Sequence, residues 1–287
     1  MSRPFIEFVQ CQTLPWTSGL YGGARPEVEV RVLSVDDETG ASSLLVRYPP
    51  GFERREPHRL ACDEEFFVLD GSLEVGDLHY GRYCYAHLPA GFERTAMRAP
   101  EGALAVTFFS GEPRLSSEPM RPDDAARLVE RVDALEGEWT GNFHPQFPPG
   151  AGRKWLKQDP VRGDQTWVLG TMPLRSGRRA ERHPVVEELF LVAGSLVGPL
   201  GTMYPGCYFW RPPGEWHGPF GTLTGNVELF RTVGGPLTTE YAEAESEFSW
   251  HPPYAPIVPT SLADAPDRYR ASLARFEALE PAIFAAG

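Results

Sequence analysis

One stretch of this chain occurs twice, and that repeat constrains the fold more than any other feature. Glu64-Glu-Phe-Phe-Val-Leu-Asp-Gly71-Ser-Leu73 returns as Glu187-Glu-Leu-Phe-Leu-Val-Ala-Gly194-Ser-Leu196, and Pro89-Ala-Gly91 returns as Pro212-Pro-Gly214, both 123 residues later. Glu56-Pro-His58 reads against Glu181-Arg-His183 at an offset of 125, which predicts short indels between the copies. A repeat of this length is a whole structural unit, so the chain is expected to fold as two similar domains in tandem. Its 287 residues fit two domains of ordinary size better than one core.

The repeated unit reads as all-β. Short apolar runs, 28–33, 42–48, 65–69 and 103–109, are separated by clusters of Gly, Pro, Asn and Asp. Glycine and proline, 29 each, suit many tight turns rather than helices. Two segments break the pattern. Asp123 to Leu135 begins after Pro122 with acidic residues in its first turn, and Leu128, Val129, Val132 and Leu135 recur at helical spacing, so an amphipathic linker helix ending at Gly137 is predicted. A second helix is predicted from Ala265 to Leu279, with Tyr269, Leu273, Phe276 and Leu279 on one face. The expected division is therefore 1–120, a linker 121–137, 138–252, and a tail 253–287.

Strand parity adds a further expectation. Glu64, Phe66 and Val68 share one face, as do Glu187, Leu189 and Leu191, yet Phe67-Leu69 and Phe190-Val192 on the opposite faces are also apolar. A strand wet on one side alternates apolar with polar, so both faces here must be covered, by the other domain or by a second subunit. A homodimer is the expectation that follows.

Chemistry concentrates in the second copy. Glu181-Arg-His183-Pro-Val-Val-Glu187 is closed by Gly194, and Gly206-Cys-Tyr-Phe-Trp-Arg-Pro212-Pro-Gly214-Glu-Trp-His217 follows. On facing strands, His183, His217 and Glu187 form a set that holds a divalent transition metal with positions open to substrate. Glu181 leaves two alternatives: as a fourth ligand it makes a two-His, two-Glu site, and otherwise the site is a two-His, one-carboxylate triad. Tyr208, Trp210 and Arg211, with Trp155, Trp167 and Trp216 nearby, are the candidates for a substrate pocket with an aromatic lining.

These segments resemble the two motifs of the cupin family, G-x5-H-x-H-x(3,4)-E-x6-G and G-x5-P-x-G-x2-H-x3-N. The second is met from Gly206 to His217, with Gly221 where the family often has Asn. In the first, His183 stands at the second histidine, while Glu181 takes the first and Gly177 lies closer to it than the pattern asks. The resemblance implies a bicupin: two tandem double-stranded β-helix (jelly-roll) barrels with a linker helix and a C-terminal helix. It also implies metal-dependent chemistry on a small carbonyl or carboxylic compound, most often dioxygen-dependent, with Fe(II) favoured and Mn(II), Zn(II) or Ni(II) as alternatives. Cupin folds also serve as isomerases, hydrolases and plain binding modules.

The first copy departs from the motif. His58 and Glu64 are present, Glu56 is read at the first histidine, and Arg94 stands where the second copy has His217. A guanidinium cannot ligate a metal but can neutralise Glu64 or Glu56, so this copy is expected to be metal-free. His87, just before Pro89, is assigned a structural role.

A net charge of −12 argues against nucleic acid and anionic membranes as partners. Cys11, Cys62, Cys84 and Cys207 show no paired spacing, which suits free thiols, and no stretch resembles a signal peptide or membrane span. A cytoplasmic location is the resulting expectation.

Overall fold

The computed structural model describes residues 3–18, 24–141 and 150–277, with side chains to residue 272. Twelve strands of five or more residues form the body of its two large sheets: β1 (Ile6–Gln10), β2 (Glu29–Val35), β3 (Ser42–Tyr48), β4 (Glu64–Gly71), β5 (Cys84–Leu88), β6 (Ala103–Phe109), β7 (Val129–Asp133), β8 (Ala151–Gln158), β9 (Gln165–Thr171), β10 (Val186–Gly194), β11 (Cys207–Arg211) and β12 (Asn226–Val233). The first sheet runs β7-β5-β4-β6-β3-β2, with Thr17–Ser18 on its far edge, and the second runs β1-β11-β10-β12-β9-β8. Each is covered by a four-stranded sheet of short strands, including Phe52–Arg54 and Met97–Ala99 in one unit and Arg175–Ser176 and Gly221–Thr222 in the other.

The repeat is exact in space. The antiparallel bridge His58–Arg94 in the first unit is matched by Glu181–His217 in the second, both at an offset of 123. This corrects the alignment at 125: His58 is the counterpart of Glu181, and Leu60 is the counterpart of His183. No indel separates the copies here. The glycines that close both motifs are fixed by close approach: at Gly194 a Cβ would lie 2.0 Å from the Gly225 carbonyl oxygen, and at Gly71 2.2 Å from that of Gly102.

Two assignments change. The linker is a 3₁₀ helix only over Pro122–Arg127, and its expected second half is strand β7, paired antiparallel with β5. The open edge of β5 needs hydrogen-bond partners, and that demand outweighs a helical pattern of four apolar residues. Leu128 then packs on the first interior, and Val129 and Val132 on the opposite face. Residues 6–10, expected in the first domain, pair instead with β11 at the edge of the second sheet. β7 and β1 thus close equivalent edges of the two units.

Three apolar clusters result: one inside each unit, and a third between the two large sheets. The third contains Phe67, Tyr85, Phe108, Phe190, Tyr208 and Trp210, so the second apolar face of the strands is covered by the other unit. A buried polar network crosses it. Arg231 donates from Nε to Glu65 at 3.1 Å and from Nη1 to Glu188 at 3.0 Å. Lys157 and Thr166 also bind Glu65, while Tyr208 and Ser43 bind Glu188. His87 belongs to this structural layer, its Nδ1 2.7 Å from the Arg127 carbonyl.

The C-terminal helix spans Ala265–Glu277; Tyr269 packs against Tyr254 with centroids 5.2 Å apart and the rings tilted by 40°, whereas the side chains of Leu273 and Phe276, and all of Leu279, lie outside the described residues. All four cysteines are buried free thiols. Among the described residues no helix is long and apolar enough to cross a membrane.

Candidate metal centre

The short strand Glu181–Arg182, the turn after it and the loop after β11 bring Glu181, His183 and His217 together. One ligand atom from each lies within 4.8 Å of the others, the one such group among the described residues. Both imidazoles are oriented by backbone carbonyls. Nδ1–H of His183 donates to Thr238 at 2.9 Å, and Nδ1–H of His217 donates to Glu215 at 2.9 Å. A carbonyl only accepts, so the proton is held on Nδ1 and the Nε2 lone pair is left for another partner. Both Nε2 atoms are buried and without a hydrogen-bond partner. Burial, then the charge of Arg211, pulls His217 down to about 3, which keeps it neutral as a ligand must be. Two orphaned imidazole nitrogens beside a carboxylate fit a divalent transition metal.

Glu187 lies behind this trio. Its Oε2 is 3.3 Å from Nε2 of His217 and its Oε1 is 3.7 Å from Nε2 of His183. The same Oε2 accepts a 2.6 Å hydrogen bond from Nη1 of Arg211. Burial would raise the Glu187 carboxyl, but Arg211 and the histidines outweigh it and hold the group at about 2. Burial and the charge of Glu187 push Glu181 the other way, upward. Arg211 is also held by Glu7 through two 2.6 Å hydrogen bonds. Sequence reading missed Glu7, because only the pairing of β1 with β11 brings it there.

That pairing also corrects the substrate candidates. Cys207, Phe209 and Arg211 face the unit's interior, whereas Tyr208 and Trp210 point to the opposite face and are packed between the units. Alternation along β11 decides this. Arg211 lines the cavity, but its guanidinium is engaged by two glutamates. Trp167 lines the cavity too; Trp216 is exposed, with Arg182 4.6 Å from its ring.

The cavity, about 760 Å³, opens beside Glu181, His183 and Glu187. Trp167, Phe209, Phe220 and Phe230 give it an aromatic wall, and Arg153, Arg175, Arg178 and Arg179 line it with Glu228. In a chain of net charge −12, such a concentration of arginine focuses a field that attracts anions.

In the first unit aromatic side chains occupy the corresponding interior. Tyr48 and Phe52, at the positions of Thr171 and Arg175, meet edge to face at 5.1 Å inside it. Glu64 is clamped by Arg94, whose Nε is 2.9 Å from Oε2, and by Arg25, whose Nη2 is 2.7 Å from the same atom while Nη1 holds Oε1. Arg25 was not anticipated. His58 is buried, and burial followed by the charge of Arg25 pulls it down to about 3; Glu56 is exposed and takes no part.

Residues 12–235 match the model of a family described as a domain of unknown function, DUF4437. No curated protein sequence matches the chain. Among solved structures, it is similar to a presumed dioxygenase from Nostoc punctiforme PCC 73102, with 20% identity, a TM-score of 0.73, and coverage of 86% of this chain and 92% of the other. It is also similar to a point variant of oxalate decarboxylase from Bacillus subtilis, with 12% identity, a TM-score of 0.56, and coverage of 82% and 79%. Another structure of that decarboxylase, studied for its Mn(II) centres, gives the same figures. At these identities the likeness is one of fold, and the fold is that of the cupins.

Proposed function

We propose that this chain, which belongs to the DUF4437 family, is a bicupin metalloenzyme whose second unit oxidises a small carbonyl or carboxylic compound with dioxygen. The observation that carries this reading is the pair of buried, unpartnered Nε2 atoms of His183 and His217 facing a carboxylate at the edge of a cavity. The resident ligands are His183, His217 and Glu181, with Glu187 retained as a charge balanced by Arg211. A divalent metal bound there supplies a Lewis acid and, as Fe(II), an electron source for dioxygen. The chain's own residues do the rest. The arginines of the cavity draw an acidic substrate in, and the aromatic wall strips water from it. Glu7 and Glu187 keep Arg211 fixed, so the field at the site does not depend on a mobile side chain.

The Nostoc neighbour, presumed a dioxygenase, supports the oxidative assignment. A non-oxidative reaction is the second reading, favoured by a protonatable carboxyl group, Glu228, in the same cavity and by the likeness to a Mn(II) decarboxylase. Elemental analysis of protein purified without added metal, joined to oxygen-electrode screening against small keto acids and 1,3-diketones, separates the two. Iron with oxygen uptake is the expected result, manganese or zinc without uptake selects the second reading, and metal-free protein that binds none on addition rejects both.

A further inference from the structure

The constant offset allows the two interiors to be compared position by position. Phe52, Ala103 and Ala105 are buried in the first unit, and their counterparts in the second are Arg175, Asn226 and Glu228, all lining the cavity. An ionisable group where the sister copy has a methyl group costs folding free energy unless it is paired. Glu228 is 2% exposed and forms no ion pair among the described residues. Its one hydrogen bond there is to Oε1 from Asn226 Nδ2, at 2.7 Å. Three charged groups face it: Arg175 from the opposing short strand, Glu187 from β10 and Arg211 from β11. Arg211 is already engaged by Glu7 and Glu187.

We propose that Glu228 is a specificity-determining acid: a neutral carboxyl group that donates a hydrogen bond to a carboxylate oxygen of the substrate and so selects small organic acids over neutral carbonyl compounds. The inference rests on the cavity being the substrate site. A carboxylate there would repel the anion that the arginines attract, whereas a protonated carboxyl complements it. Burial, reinforced by the charge of Glu187 and only partly offset by Arg175 and Arg211, lifts the group to about 8, so the neutral form is the one present at neutral pH. No bond is made or broken; the proton stays on Glu228.

The test titrates malonate and its neutral counterpart malonamide into the protein by calorimetry from pH 6 to 9, in EDTA-treated and Mn(II)-loaded forms. In the unsubstituted protein the malonate Kd should rise about tenfold per pH unit above the Glu228 value. Glu228→Gln keeps the shape and a donor but does not titrate, so its malonate Kd should stay flat. Glu228→Ala should weaken malonate about tenfold and malonamide by a smaller factor, because only the carboxylate makes a charge-assisted hydrogen bond. A flat profile in the unsubstituted protein, an unchanged slope in Glu228→Gln, or no saturable malonate binding overturns the proposal. If metal fails to bind at His183 and His217 while the slope and its loss in Glu228→Gln persist, the metalloenzyme reading falls and this one stands.

Discussion

His217 and His58 occupy the two copies but not equivalent positions, and their substitutions should separate accordingly. His217→Ala removes one of the two proposed imidazole ligands and should abolish most metal binding, while His58→Ala should leave metal content unchanged. Equal loss in both would contradict a site confined to the second unit. Glu228 offers a second test through its proton. Its folded value, about 8, lies above the ordinary 4.5. Between those values the folded chain holds a proton that the unfolded chain releases, so this group lowers stability as pH rises through that window. Glu228→Gln should therefore gain stability over the unsubstituted protein as pH rises, levelling off above about 8, when urea midpoints are compared. Glu64 works in the opposite sense. Burial raises its carboxyl, Arg25 and Arg94 outweigh that and hold it at about 2, so its contribution is present above 4.5 and lost as pH falls toward that lower value. Arg94→Met leaves Glu64 with Arg25 alone and should cost on the order of 3 kcal/mol in urea unfolding. Arg94→His by itself should not create a second metal site, because Leu60 occupies the place of His183; Leu60→His with Arg94→His is the combination to assay for added metal.

The strands that cap the two sheets are the elements on which the site depends. β1 contributes Glu7 to Arg211 and closes the edge of β11, so it acts on the metal centre without touching a ligand. Glu7→Ala leaves Arg211 short of one buried carboxylate and should destabilise the protein by about 3–5 kcal/mol. Deleting residues 1–10 should in addition expose the edge of β11 and produce aggregates in size-exclusion chromatography. A monodisperse truncated protein with full metal content would show that β1 is dispensable. β7 performs the same edge closure for the first unit. The segment before it is anchored by Arg127, which binds Asp63 of the first unit at 2.6 Å and Asp159 of the second at 2.8 Å.

At the scale of the whole molecule, the buried network around Arg231 joins the two units. Glu65 and Glu188 come from equivalent positions, yet the bridging cation comes from one copy only, since the counterpart of Arg231 is Phe108, whose ring lies 5.0 Å from the guanidinium. Arg231→Met should cost about 3–5 kcal/mol and split one calorimetric unfolding transition into two as the units uncouple. A single transition at an unchanged temperature would remove this network from the account of domain coupling. Much of this architecture was legible in the chain: the 123-residue repeat, the two-faced apolar strands, the histidines of the second copy and the arginine of the first all act locally or at fixed offsets. Tertiary structure alone decided the rest. The exchange of edge strands, the capture of Arg211 by Glu7 and Glu187, the second clamp on Glu64 by Arg25 and the inward turn of Glu228 depend on contacts between residues far apart in the chain. Such contacts are set by which backbone edge is left unpaired and which cavity wall is left unfilled, and neither is written in local spacing.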